Sequence, residues 1–175
     1  MTRKHWLGAL AFAVLIAVSA RFTLALPGSA VPQTLQTIAV LLCGAFLGFN
    51  AASLAVVVYL LAGFVGLPVF ADGSSGARVL FGPSGGYLLA FWFCAALLGL
   101  AADKRWLRVH FWKLCLWMLA GHAVILVVGA GLLSISVGLP AAWFNGFEPY
   151  LLGAVVKSVI AAAVVWTSRV MLQRR

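Results

Sequence analysis

Gly63-Phe-Val-Gly-Leu-Pro-Val-Phe-Ala-Asp-Gly-Ser-Ser-Gly-Ala-Arg-Val-Leu-Phe-Gly-Pro-Ser-Gly-Gly-Tyr87 interrupts two long apolar runs. It holds seven glycines, two prolines and Asp72, one of only three acidic residues in the chain. Glycine and proline at this density break any continuous helix, so the runs on either side are separate segments. Glycine also lets backbone approach a neighbour closely, and a charged group between apolar runs needs a partner or water. The stretch therefore reads as an ordered roof over a small-molecule site, set at the mouth of a membrane helix bundle.

The composition agrees with a membrane setting. Of 175 residues, 65% are hydrophobic and only 9% are charged, with mean hydropathy +1.12. Soluble domains sit near half apolar and about a quarter charged. The chain reads as one all-α integral membrane domain over residues 1–175. Its net charge of +9 raises nucleic acid as a partner, but the basic residues flank apolar runs rather than forming one patch, so no nucleic-acid role is expected. Cys43, Cys94 and Cys115 lie in apolar runs without metal-ligand or disulfide spacing and read as small hydrophobes.

Working outward, six spans are expected, at about 6–26, 34–49, 51–65, 86–102, 112–133 and 150–172. The first, preceded by Arg3 and Lys4, also resembles a signal peptide with Val18-Ser19-Ala20 as the cleavage site. Its length and the arginine at position 21 favour a retained helix. Ala9, Ala13 and Ala17 recur every fourth residue on that helix, a small-residue face on which another membrane helix packs closely. Pro27 and Pro32 stiffen the polar segment 27–37 and keep it out of a helix. The second and third spans meet at Gly48-Phe49-Asn50, which predicts a tight hairpin.

Lysine and arginine counts orient the bundle. With both termini cytoplasmic, nine of the twelve basic residues fall inside: Arg3, Lys4, Lys104, Arg105, Arg108, Lys113, Arg169, Arg174 and Arg175. Arg21 and Arg78 fall outside, and Lys157 lies within a span. This orientation gathers segments 27–37, 63–87 and 134–149 on the outer face.

Lys157 is the most informative single residue. It lies roughly 10 Å below the outer end of the last span, where a charge is costly unless it faces a cavity or counter-ion. The alternative is a side chain that snorkels to the interface. Asp72 and Arg78 read either as a mutual pair, as solvated groups or as ligand contacts. Tyr87 offers a ring and a hydroxyl behind Gly82-Pro83-Ser84-Gly85-Gly86, or belongs to an interfacial aromatic belt. Thr34 and Gln36 carry polar groups where the chain re-enters the membrane, and Asn145 is either an amide ligand or a turn residue. His122, alone in its span, reads as a helix-to-helix hydrogen bond more readily than a proton relay. There is no paired carboxylate in a span, no nucleophile triad, no Walker lysine and no metal-ligand spacing, so neither catalysis nor a cofactor is expected.

Four segments carry a resemblance: Val31-Pro-Gln-Thr-Leu-Gln-Thr37, Gly66-Leu-Pro-Val-Phe-Ala71, Gly82-Pro-Ser-Gly-Gly-Tyr87 and Pro149-Tyr-Leu-Leu-Gly-Ala-Val-Val-Lys157. They resemble the signature segments of the BioY family of bacterial biotin transporters, in the same order and between the same helices, with the likeness extending over residues 9–157. The resemblance implies a six-helix bundle in the cytoplasmic membrane that acts as the substrate-binding (S) component of an energy-coupling factor transporter. It further implies a pocket open to the outside, roofed by the first and third outer loops, and an Ala9/Ala13/Ala17 face that docks on a membrane scaffold (T) subunit carrying two ATPases. A homo-oligomer acting alone is the other assembly to consider.

Biotin fits the residue inventory, with its carboxylate for a buried cation and its rings for apolar walls. Lys157 is then the electrostatic anchor, with Tyr87, Gln36, Thr34, Asn145, Arg78 and Asp72 as further ligand contacts. One departure stands out: many family members carry aspartate three residues before the lysine, where this chain has Ala154. Asn145, Asp72, Gln36 or a backbone carbonyl then has to accept from the ureido N–H groups. The competing readings are an S component for another vitamin or organic anion, and a membrane assembly protein that transports nothing.

Overall fold

The computed structural model describes residues 2–24 and 31–173. Arg174, Arg175 and positions 27–30 of the polar segment lie outside the described residues. The fold is mostly helical: α1 (Arg3–Ser19), α2 (Gln36–Phe64), α3 (Ala77–Leu80), α4 (Gly85–Asp103), α5 (Phe111–Val137), α6 (Leu139–Ala142) and α7 (Leu151–Gln173). Two short strands, β1 (Thr23–Leu24) and β2 (Gln33–Thr34), pair antiparallel with Thr23 opposite Thr34. Among the described residues four stretches are long and apolar enough to cross a membrane: Gln36–Phe64, Gly85–Asp103, Phe111–Val137 and Leu139–Leu172. Large apolar side chains such as Leu7, Val14, Leu116, Val127, Leu152 and Ile160 stand exposed along the helices, a surface that suits lipid and not water. This is a multi-pass membrane protein.

The break in α2 follows from one residue. Gly48 takes φ 75°, ψ 173°, a conformation that a β-carbon disfavours, and the chain turns back on itself there. Cys43 Sγ consequently reaches the carbonyl of Ala52 at 3.9 Å, a distance no straight helix allows between residues nine apart. Asp103 caps the turn from the end of α4, its Oδ2 accepting from Phe49 N at 2.9 Å. Arg169 on α7 donates to the carbonyl of Leu107, so the Gly48 turn, the 104–110 connector and the end of α7 share one end of the bundle.

At the other end the irregular connections are stitched together. Arg21 donates to the Pro68 carbonyl at 2.6 Å, and Thr23 Oγ1 donates to Asp72 Oδ1 at 2.7 Å. These contacts end the first helix at Ser19, well short of Leu26, because residues 21–24 are drawn into the hairpin and the roof. Tyr150 donates to the Val31 carbonyl, and Tyr87 to the Gly146 carbonyl at 2.6 Å.

The alanine stripe of α1, expected as a docking face for a partner, is turned toward this chain's own helices. Ala9 is 0% and Ala13 7% exposed and both belong to the core of this chain, with half-buried Ala17 packed against it. Small side chains let α1 lie close on the Gly48 hairpin, where Gly8 stands against Leu47. The outward face of α1 is built instead from Leu7, Leu10, Val14 and Val18. The stripe is thus occupied within the protomer.

Candidate functional site

Beneath the stitched connections lies a cavity of about 370 Å³, within the size range of small-ligand pockets. α2 supplies Gln36 and Thr37, α4 supplies Tyr87, Leu88 and Phe91, α5 supplies His122, Ile125 and Leu126, and α7 supplies Ala154 and Lys157. The roof is Val31 to Thr34 on one side and residues 70–84 on the other.

Each wall has a local cause. On α7 the buried residues are Ala154, Lys157, Ser158, Ala161, Ala162 and Val165, a helical stripe that turns one face inward. That stripe carries Lys157 into the cavity wall, 9% exposed, and among the described residues it is the one buried charged side chain. Its Nζ donates to the Thr34 carbonyl at 3.0 Å, and among the described residues no carboxylate pairs with it. Phe70 forms part of the roof because Gly63 has no β-carbon: one there would overlap the Phe70 ring. The ring also meets Tyr59 edge-on at 5.5 Å between centroids.

The structure brings most of the expected ligand contacts to this cavity, in different roles. Lys157, Tyr87, Gln36, Thr34, Arg78 and Asp72 all line it; Asn145 does not, standing exposed in the short π-helical segment Trp143–Phe147. Tyr87 presents its ring, since its hydroxyl is committed to Gly146. The Gln36 side chain is engaged at both ends, Nε2 donating to the Tyr59 hydroxyl and Oε1 accepting from Thr34 Oγ1 at 3.2 Å. Asp72 and Arg78 are exposed residues at the rim, with Asp72 bonded to Thr23. Glu148, exposed in the single-turn helix Glu148–Tyr150, does not line the cavity and makes no ion pair with Lys157.

Sequence reading missed Phe70, Phe91, Ile125, Leu126 and Tyr150 as pocket walls, because apolar residues in apolar spans carry no signal of which face they line. It also missed His122 as a pocket residue. The interhelical bond expected of His122 is present, Nδ1 lying 2.8 Å from Ser158 Oγ on α7. It shares the cavity-facing side of α5 with Ile125 and Leu126, a face that periodicity alone does not single out.

A multi-helix membrane fold enclosing a largely apolar cavity, with one unpaired lysine and a roof of short loops, defines a small-molecule binding protein of the membrane. Among the described residues no cluster of three His, Cys, Asp or Glu side chains is placed to hold a metal. The chain belongs to the BioY family, which matches residues 1–174. It is 38% identical over 154 residues to the biotin transporter BioY of Thermotoga maritima, covering 87% of this chain and 88% of that one. It is 36% identical over 139 residues to the biotin transporter BioY2 of Lactococcus lactis subsp. cremoris, covering 78% and 75%. Its fold superimposes with TM-score 0.85 on the crystal structure of the S-component for biotin from an ECF-type ABC transporter, at 24% identity, over 97% of this chain and 94% of that one.

Proposed function

We propose that this protein captures biotin in the cavity above Lys157 and serves its uptake as the S component of an ECF-type transporter. It is a transport protein, not an enzyme. The observation that carries the reading is the lysine: a buried ammonium bonded to one backbone carbonyl and, among the described residues, to no carboxylate, in the wall of a largely apolar cavity of a BioY-family chain. An ammonium so placed gains most from an anionic ligand that brings its own apolar body, and biotin is an apolar bicycle and chain ending in a carboxylate. Lys157 holds the carboxylate; Tyr87, Phe70 and Phe91 enclose the rings and chain; Asp72 and Arg78 sit at the rim and act through closure.

The chain crosses a bacterial cytoplasmic membrane six times, with α2 counting twice because of its reversal at Gly48. Both termini and the 104–110 connector are cytoplasmic, and the roof faces outward. The placement of Lys104, Arg105, Arg108 and Lys113 supports this orientation. A T subunit and ATPases supply the energy, since no Walker lysine is present in the chain. With Ala9 and Ala13 buried, the outward ridge of α1 at Leu7, Leu10 and Val14 is the surface offered to that scaffold. A homo-oligomer working without the module is the alternative assembly.

The test is equilibrium binding of radiolabelled biotin to the purified protein in detergent. Saturable binding, one biotin per chain, undisplaced by thiamine or riboflavin, is expected. Folded protein that binds no biotin at micromolar concentration, or that yields it to either vitamin, overturns the reading.

A further inference from the structure

His122 has two ring nitrogens and a partner for one. Nδ1 lies 2.8 Å from Ser158 Oγ, whereas Nε2 is enclosed by protein and has no hydrogen-bond partner. The residue is 2% exposed and lines the same cavity as Lys157. Ser158 directly follows Lys157 in the chain, so its bond to the imidazole places the ring beside the turn of α7 that carries the lysine. Buried polar atoms without partners are uncommon, and one in a pocket wall marks where a ligand completes the hydrogen bonding. Thr37 Oγ1 is a second such atom in the same wall, and Ser53 Oγ, a third, does not line the cavity; of the three, His122 is the one bonded to the residue next to Lys157.

We infer that His122 is a ligand-binding and specificity-determining residue, its Nε2–H donating to the carboxylate that Lys157 attracts. The inference rests on the biotin reading above. Proton bookkeeping supports it. A carboxylate only accepts, so Nε2 must carry the hydrogen; a neutral imidazole then accepts at Nδ1, and the Ser158 hydroxyl is there to donate. The Ser158 hydroxyl can donate to Nδ1 in that tautomer, and Lys157 and His122 then form a two-donor seat in which one group supplies charge and the other direction. A purely structural strap between α5 and α7 accounts for the Nδ1 bond and leaves Nε2 unexplained.

Biotin and its methyl ester, which lacks the anionic carboxylate, separate the two roles. Affinities for both are measured on the wild-type protein and on His122→Phe, His122→Gln and Ser158→Ala, with monodispersity as the check on folding. His122→Phe is expected to weaken biotin about tenfold or more while leaving the ester within about twofold, so that the preference for the acid collapses. His122→Gln, which keeps an N–H donor, recovers part of the preference, and Ser158→Ala falls between. Histidine ring nitrogen-15 shifts in the wild-type protein are expected to move at Nε2 when biotin binds, a readout that does not depend on any variant folding. If wild-type protein binds biotin and His122→Phe keeps the acid-over-ester preference, the inference falls. It falls equally if both ligands weaken alike, or if the ring shifts stay fixed. Failure of the wild-type protein to bind biotin instead sinks the functional reading and this inference with it.

Discussion

Lys157 on α7 and Thr34 at the end of β2 meet beneath the roof, the lysine Nζ donating to the threonine carbonyl at 3.0 Å. An ammonium has three hydrogens to donate, and a neutral carbonyl leaves its charge uncompensated. The bond therefore positions the lysine without neutralising it. It also couples the deep wall to the hairpin that forms one side of the roof, so an anion that draws on Lys157 acts on the element that covers it.

Replacing Lys157 by methionine keeps the length and apolar bulk of the side chain and removes its charge. A hydrogen bond to a charged group contributes about 1.5–3 kcal/mol, so biotin affinity should fall about 10–100-fold. Stability of the ligand-free protein should move the other way or stay level, because a buried ammonium with no counter-ion costs desolvation. Calorimetric titration and thermal unfolding of the ligand-free form measure the two. Unchanged affinity in Lys157→Met would remove the anchor from the account.

Asp72 distinguishes a roof tie from a ligand contact. It has φ 54° and accepts from Thr23 Oγ1 at 2.7 Å. Asparagine tolerates this left-handed conformation and keeps an accepting oxygen; alanine does neither. Asp72→Asn should therefore bind and release biotin nearly as the wild type does, and Asp72→Ala should release it several-fold faster. Stopped-flow dissociation decides. A large loss in Asp72→Asn means that the carboxylate itself touches the ligand.

Residues whose chemistry clashes with an apolar setting were the ones legible in the sequence. Lys157, Asp72, Arg78 and Gln36 stood out by type and all came together at one cavity. The bend at Gly48 was legible because Gly48-Phe49-Asn50 interrupts an apolar run. The alanine stripe was legible as a packing face, but sequence spacing does not say whether the neighbour belongs to the same chain, and here it does. The hairpin of β1 and β2 gave no signal, since two-residue strands have no periodicity to detect. Phe91, Ile125 and Leu126 gave none either, because facing a cavity and facing lipid require the same side chains.

Gly63 and Phe70 are matched in shape, so adding one methyl group should open the roof. A β-carbon at position 63 would overlap the Phe70 ring, which is 1% exposed and lines the cavity. Overpacking of this kind costs about 1–3 kcal/mol. Gly63→Ala should lower the unfolding temperature and speed biotin release, and Phe70→Leu in the same chain should relieve part of the stability loss. The double-mutant cycle checks this. Strictly additive effects would show that the two positions are not in contact.

The proposed orientation puts position 81 outside the cell and position 104 inside. Phe81 is 86% exposed at the roof end, and Lys104 is exposed at the end shared with the Gly48 turn. Native thiols interfere little, because Cys43 and Cys94 are buried and Cys115→Ser removes the remaining half-buried one. In that background a membrane-impermeant maleimide applied to intact cells should label Phe81→Cys and spare Lys104→Cys, and permeabilised cells should show both. The charge argument makes the same demand independently, since Lys104, Arg105, Arg108 and Lys113 crowd one connector while the roof end holds Arg21 and Arg78. Labelling of position 104 but not 81 in intact cells would invert the topology, and the cavity would then face the cytoplasm, where it is useless for capture.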